Sequence, residues 1–151
     1  DNKFDVGRLE LGLFGKEAPL CTERFKSLCD ASAPVSYKGN NFHRCIRGFI
    51  IQAGKLEAPP PPFAEKNDLV HVEGALCMSN DGGESTSEFF VALRRADELD
   101  GVYTVFGQVL SGMKEVALDM DRRAGNADGE PWCTYVITSC GVLPDEPEGE
   151  Q

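Results

Sequence analysis

The chain has 151 residues, of which 41% are hydrophobic and 26% charged, which is typical of one ordinary globular domain. The formal net charge of -10 argues against the basic face that a nucleic-acid partner requires. No apolar run reaches the length of about 18 residues that a membrane-spanning helix needs, and no signal peptide is visible. We therefore expect neither nucleic acid nor a membrane as a partner, and we expect a monomer.

The first third of the chain predicts three strands and one helix. Residues 8–15, RLELGLFG, place leucine at alternate positions, as a half-buried strand does. Residues 18–30, APLCTERFKSLCD, repeat apolar residues at i, i+4, i+7 and i+8 with a proline in the first turn, which predicts an amphipathic helix. Residues 41–46, NFHRCI, and 49–54, FIIQAG, predict two strands separated by Gly48.

The remainder predicts a loop, five short strands and a second helix. Residues 55–68 form the loop, because four consecutive prolines at 59–62 cannot donate backbone hydrogen bonds. The strands are predicted in LVHV (69–72), GALCMS (74–79), EFFVAL (88–93), YTVFGQVL (103–110) and WCTYVITSC (132–140), and the amphipathic helix in GMKEVALDM (112–120). Many short strands with only two helices indicate a closed or strongly curved antiparallel sheet on which both helices pack.

The cysteines indicate a reducing compartment. Each lies in an apolar run, where a free thiol behaves as a small hydrophobic residue, and a domain of this size needs no disulfide framework. No CxxC pair and only two histidines are present, so we expect no zinc site and no cofactor. We expect buried, reduced thiols and a location in the cytoplasm, with the nucleus as the alternative. The six are Cys21, Cys29, Cys45, Cys77, Cys133 and Cys140.

Three sequence blocks resemble the cyclophilins. YKGNNFHRCIRGFIIQAG (37–54) contains an FHR tripeptide followed by a GFxxQxG run, GALCMSNDG…SEFF (74–90) resembles the second block of that family, and LDGVYTVFGQVLSGM (99–113) its third. The resemblance implies a mainly β fold, a closed eight-stranded antiparallel β-barrel capped by two α-helices, over residues 1–143. It also implies peptidyl-prolyl cis-trans isomerase activity on the outer surface of the barrel. Residues 144–151 are predicted to form a solvated acidic tail.

Arg44 is the predicted catalytic residue. In a strand, Phe42, Arg44 and Ile46 would lie on the same face, because side chains alternate with a period of two. This places a permanent charge on an apolar face. Either the guanidinium reaches water from a barrel rim, or it awaits a substrate. When an X-Pro bond twists, its nitrogen becomes pyramidal, and a rigid donor aimed at that lone pair stabilises the twisted state selectively. Arginine has the permanent charge and the rigid donors for this role, and the resemblance implies it for Arg44.

The resemblance also implies a substrate-binding surface around Arg44. An apolar pocket for the proline ring would be formed by Phe49, Ile50, Phe90 and Leu99. Gln52 would bond to substrate backbone, Asn80 would present its main chain, and Tyr103 stands where the family often has histidine. His43 is expected to be structural rather than a base. The full substrate-binding set implied by the resemblance is His43, Phe49, Ile50, Gln52, Ser79, Asn80, Asp81, Glu88, Phe90, Leu99 and Tyr103.

Three acidic residues depart from the family pattern. Glu98 stands where many members carry a tryptophan that contacts cyclosporin, so we expect weak cyclosporin binding. Glu88 replaces a glutamine, and beside Arg44 it would either hold the guanidinium or compete with the substrate for it. Asp81 replaces a small alanine. Together they predict an acidic rim, reduced activity and a preference for basic or neutral peptides.

The alternative function is a non-catalytic cyclophilin-like module that binds proline-containing segments of a partner protein. Binding and isomerisation need overlapping but unequal contacts, so an altered rim is compatible with either. Retention of Arg44, Phe49, Gln52 and Phe90 favours the enzyme, because a simple binder has no need of the arginine donor. A small-molecule carrier of lipocalin type fits less well, since two helices do not belong to that architecture.

Overall fold

The structure is a computed structural model that describes residues 5–124 and 133–144. Within them one antiparallel sheet contains six strands in the order β1-β6-β4-β5-β3-β2. In chain order these are β1 (Glu10–Leu13), β2 (Arg44–Ile46), β3 (Ile50–Ala53), β4 (Ala75–Met78), β5 (Phe89–Ala92) and β6 (Thr104–Ser111). The helices are α1 (Pro19–Cys29) and α2 (Leu118–Arg122), and no described helix is long and apolar enough to cross a bilayer.

Helix α1 confirms the prediction from the sequence. It begins at Pro19, whose missing N–H costs nothing in a first turn, and its apolar stripe, Cys21, Phe25 and Leu28, is buried. Phe25 makes edge contacts with the rings of Phe89 and Phe106 on the sheet, at centroid distances of 5.0 and 5.2 Å. The amphipathic pattern therefore fixes which side of the helix faces the sheet.

The second helix is shorter than the sequence predicted. A π-helical turn over Met113–Ala117 leads into α2, so only part of the predicted 112–120 segment is α-helical. The apolar stripe still faces the core, since Val116 and Met120 are buried. Asp121 accepts a hydrogen bond from the backbone N–H of Gly48 at 2.6 Å. This contact anchors the turn between β2 and β3, which carries much of the candidate site.

The predicted closed barrel of eight strands differs from the observed sheet, which has six strands and is open in the described part of the chain. Residues 69–72 form no ladder, because side chains bind their amides: Leu69 N–H donates to Asn67 Oδ1 at 3.1 Å and His71 N–H to Asp100 Oδ1 at 2.8 Å. Of the predicted last strand, the described residues form an isolated bridge between Asn41 and Val136, and backbone hydrogen bonds join Tyr135 and Ile137 to residues 39–42.

The sheet carries apolar residues on both faces. One face packs against the helices in the main core, which includes Cys45, Ile51 and Leu76. The opposite face holds a second cluster, which we call the outer cluster; its buried members are Ile50, Ala75, Cys77, Phe90, Ala92 and Val105. Successive side chains of a strand point to opposite faces, so β3 to β6 contribute residues alternately to the main core and to the face of the outer cluster.

The cysteines are less uniformly buried than predicted. Cys21, Cys45 and Cys77 are buried, Cys29 and Cys140 are half-buried, and Cys133 is exposed, which corrects the prediction for that residue. All six are free. Burial raises the pKa of Cys45 to about 11. Burial, together with the nearby Cys140 thiol, raises the pKa of Cys29 to about 12. These two thiols therefore stay protonated at neutral pH and serve as hydrophobic side chains.

Two sequence predictions lie outside the described residues. Trp132, the first residue of the predicted last strand, is one. The other is the acidic tail, of which only Pro144 is described.

Candidate active site

Three neighbouring strands bring Arg44, Gln52 and Phe90 into one row. The pairing of β2 with β3 sets Arg44 opposite Gln52, and the pairing of β3 with β5 sets Gln52 opposite Phe90. Residues directly opposite each other in an antiparallel pair have Cβ atoms about 5 Å apart. The register therefore places the charged residue one strand away from Gln52 and two strands away from the buried ring.

Arg44 is exposed at the start of β2. Within the described part of the chain its guanidinium takes part in no hydrogen bond or ion pair. The expected apolar neighbours are divided between the two faces: Ile46 packs against the outer cluster, whereas Phe42 belongs to the main core. Alternation does not extend back to Phe42, because β2 begins only at Arg44. The charge is thus open to an approaching ligand.

The residues expected to form the proline pocket lie together in the outer cluster. Phe90 and Ile50 are 3% and 5% exposed, while Phe49, Leu99 and Tyr103 are partly buried against them. Tyr103 meets the ring of Phe90 edge-on, with centroids 5.4 Å apart and planes at 88°. The result is a partly exposed apolar surface beside the row that contains Arg44.

Glu88 does not make the contact with Arg44 that the sequence suggested. Its Oε1 accepts a hydrogen bond from Gln52 Nε2 at 3.0 Å and lies 3.1 Å from His43 Nε2. Among the described residues it forms no ion pair with Arg44. The carboxylate therefore neither holds the guanidinium nor competes for it, and acts on Gln52 instead.

The segment after β4 lines the other side of the row. Ser79 Oγ lies 3.5 Å from Gln52 Nε2, and Asn80 Nδ2 donates to the carbonyl of Val102 at 2.8 Å. Asp81 is exposed and pairs with Glu84 through the backbone, which closes a tight turn. The bond from Asn80 joins this turn to the segment that carries Tyr103. A cavity of about 320 Å³ opens there, lined by Lys66, Asn67, Asp68, Gly101, Val102, Tyr103 and Thr104.

Comparison with known proteins identifies the family. The model of the family described as cyclophilin type peptidyl-prolyl cis-trans isomerase/CLD matches residues 2–142. The chain belongs to the cyclophilin family. Its mainly β fold, with two helices and one antiparallel sheet, is consistent with that assignment.

Curated relatives carry the same description. The chain is 31% identical to peptidyl-prolyl cis-trans isomerase CYP21-1 of Arabidopsis thaliana, over 97% of this chain and 73% of that protein. It is 33% identical to the rhodopsin-specific isozyme of Calliphora vicina, over 96% and 67%. It is 32% identical to peptidyl-prolyl cis-trans isomerase cyp11 of Rhizopus delemar, over 91% and 46%. The chain therefore spans about half the length of the Rhizopus relative.

One of the three carboxylates predicted at the rim of this cyclophilin site, Glu98, is paired within the chain. Glu98 Oε2 accepts a hydrogen bond from Arg94 Nη2 at 2.9 Å, which lowers the pKa of Glu98. The Arg94 guanidinium also lies 5.1 Å from the centroid of the Phe49 ring, at the distance of a cation–π contact. Asp97 pairs with Arg95 at 2.7 Å. The expected preference for basic or neutral peptides stays a prediction.

Sequence reasoning missed two residues beneath the pocket. His71 is fully buried, its ring lies parallel to Phe90 at a centroid distance of 6.3 Å, and its Nδ1 lies 2.8 Å from Asp100 Oδ1. The available signal was a lone histidine within the apolar run LVHV. Its acidic partner is 29 residues away and could not be chosen from the sequence.

Proposed function

We propose that this domain catalyses cis-trans isomerisation of X-Pro bonds in peptides and proteins, with Arg44 as the catalytic residue. The observation that supports the proposal is the register of three strands, which sets an exposed arginine beside Gln52 and the buried ring of Phe90. Family membership favours the same reaction. Activity, substrates and partners of any longer parent protein belong to the same proposal.

The reaction needs stabilisation of a twisted bond and no covalent step. Amide resonance opposes rotation with a barrier of about 20 kcal/mol, and the nitrogen gains a lone pair when the bond twists. A proline ring seated on Phe90 and Phe49 would hold one side of that bond. An N–H of Arg44 would then donate to the nitrogen, which favours the twisted state over both planar states.

The pocket is prepared before the substrate arrives. Phe90 is held edge-on by Tyr103 and from beneath by His71, so its ring needs no rearrangement to receive a proline. Arg44 has no internal partner among the described residues that a substrate would have to displace. Both features reduce the reorganisation that otherwise adds to a barrier.

Substitution of Arg44 tests the proposal in a coupled isomerisation assay on a Phe-Pro peptide. Removal of one preorganised donor costs about 100- to 1000-fold in rate, so we expect a loss of that order in kcat/KM for Arg44→Ala. The kcat/KM of Arg44→Lys should lie between those of the unmodified domain and Arg44→Ala, because lysine keeps the charge but lacks the rigid fork of donors. Unchanged turnover in Arg44→Ala would remove this residue from the mechanism.

The same assay separates the enzyme from the non-catalytic module. If the unmodified domain binds proline peptides but does not accelerate their isomerisation, the binding function is the correct one. Circular dichroism of Arg44→Ala should match that of the unmodified chain, because Arg44 is exposed and supports no described contact.

The remaining expectations form part of this proposal. We propose that the domain works as a monomer in a reducing compartment, the cytoplasm or the nucleus, and that it binds cyclosporin weakly. The free cysteines favour such a compartment, and the Arg94–Glu98 pair at the place of the tryptophan favours weak drug binding. Reduced turnover relative to members that lack Glu88, Glu98 and Asp81 would then depend mainly on Asp81, which is exposed and forms no ion pair among the described residues.

A further inference from the structure

Gln52 lies at the centre of the row and is held by a single carboxylate. Its side chain is 7% exposed, its Nε2 donates to Glu88 Oε1 at 3.0 Å, and Ser79 Oγ is 3.5 Å from the same nitrogen. Its side-chain oxygen, Oε1, accepts no hydrogen bond from the described residues. Within the described part of the chain no donor therefore competes with a ligand for that oxygen.

The charge type of Glu88 determines this orientation. An ionised carboxylate only accepts hydrogen bonds, whereas the amide of Gln52 has a donor end and an acceptor end. Beside a carboxylate only the nitrogen end forms a favourable contact, and the oxygen end is directed away from it. A glutamine at position 88 could both donate and accept, and would be compatible with either orientation of Gln52.

His43 supports the same arrangement from the neighbouring strand. Its Nε2 lies 3.1 Å from Glu88 Oε1, the same oxygen that accepts the hydrogen bond from Gln52. Its Nδ1 is buried and has no partner among the described residues. A buried N–H without an acceptor is costly, which disfavours a proton on Nδ1. Glu88 Oε1 therefore lies beside two side-chain nitrogens, those of Gln52 and His43, and acts as an acceptor toward Gln52.

We propose that Glu88 is a positioning residue that makes Gln52 present a hydrogen-bond acceptor to the substrate. The site would then select peptides with a free backbone N–H at the position that meets Gln52. A second proline or an N-methylated residue there would lack this donor. This inference rests on the proposed function, which places the substrate beside Gln52. It adds that Gln52 is the acceptor in that contact and the substrate the donor.

Ester analogues of the peptide substrate test this polarity. Replacing one backbone N–H by an ester oxygen removes the donor with little change in size, and each position flanking the X-Pro bond can be tested in turn. We expect one position where the ester lowers kcat/KM by about three- to tenfold, the effect of one neutral hydrogen bond. Dissociation constants for the same peptides should change in parallel.

Two variants assign the effect to its residues. In Glu88→Gln the ester penalty should fall below about twofold, because both orientations of Gln52 become available. In Gln52→Met, which has similar length and no hydrogen-bonding amide, the penalty should disappear. Thermal unfolding of each variant shows whether it remains folded.

The outcomes are distinguishable. Absence of an ester penalty at every position, or a full penalty retained in Glu88→Gln, would overturn the role of Glu88. A domain that shows the penalty in binding but no turnover would disprove the proposed catalysis and leave this inference intact. An ester penalty in kcat/KM and in the dissociation constant, reduced in Glu88→Gln, supports the proposed catalysis and the role of Glu88.

Discussion

Asp100 and His71 form the support beneath the candidate pocket. Asp100 Oδ1 receives the backbone N–H of His71 and lies 2.8 Å from its Nδ1, and these two hydrogen bonds lower the pKa of Asp100. Asp100 directly follows Leu99, and the ring of His71 is parallel to that of Phe90. The pair therefore joins the turn that carries one pocket residue to the ring that supports another.

The lowered pKa of Asp100 predicts how stability depends on pH. A carboxyl group whose pKa is lower in the folded state contributes stability above its unfolded value, about 3.9, and loses it as pH falls through the folded value. Asp100→Asn should therefore unfold at lower urea concentration than the unmodified chain at neutral pH. The gap should shrink below about pH 4.

Urea midpoints measured from neutral to acidic pH check this prediction. Glu73→Gln offers a control, because Glu73 is an exposed carboxylate two residues from His71 and takes no part in the contacts between His71 and Asp100. A gap for Asp100→Asn that stays constant down to the lowest pH would show that the ionised carboxylate is not the source of the stability.

At the scale of the elements, helix α1 is capped from a distant segment. Ala18 precedes its first residue and has no side-chain oxygen to bind the free backbone N–H groups of the first turn. Glu65 supplies both oxygens instead, accepting from Leu20 N–H at 2.9 Å and from Cys21 N–H at 2.8 Å. A negative charge there also complements the helix dipole.

Removal of this cap should destabilise the domain. We expect Glu65→Ala to lower the free energy of unfolding by about 1–2 kcal/mol, the usual cost of losing a helix cap. Glu65→Gln should lose roughly half of that, since it keeps one acceptor oxygen without the charge. Glu23→Ala is the matched control on the exposed side of α1 and should change stability by less than about 0.5 kcal/mol. Equal urea curves for Glu65→Ala and Glu23→Ala would contradict the cap.

The charge of the whole molecule acts differently from the contacts at the site. Glu98 is paired with Arg94, and Glu88 is turned toward Gln52 and His43, so neither carboxylate is directed at a substrate. The formal net charge of -10 nevertheless creates a negative potential around the chain. A preference for basic peptides would then arise from long-range attraction, and salt should screen it.

Paired substrates separate long-range attraction from a direct contact at the site. Phe-Pro peptides flanked by lysine should show kcat/KM about threefold or more above those flanked by glutamate at low ionic strength. The two should converge near 1 M salt, where the Debye length is about 3 Å. Equal values at low salt would disprove the preference, and a preference that survives high salt would require a direct contact.

Most of the secondary-structure elements followed from local sequence, and the identity of the site residues stays a prediction. Periods of 3.6 and 2 are properties of neighbouring residues, which is why helix α1 and the strands from 44–46 to 104–111 were predicted close to their observed positions. The motif around Arg44 likewise indicated the family without coordinates. The strand at 69–72 failed because side chains of Asn67 and Asp100 bind its amides in place of a ladder.

The sequence by itself determined the family, helix α1 and most of the strands, and it singled out the arginine on which the proposed chemistry depends. Only the tertiary structure decided which groups meet: Glu88 with Gln52 rather than Arg44, Glu98 with Arg94, and His71 with Asp100. The physical reason is that a polar side chain can bind any complementary group within about 3 Å, and the chain path alone determines which distant segment supplies it.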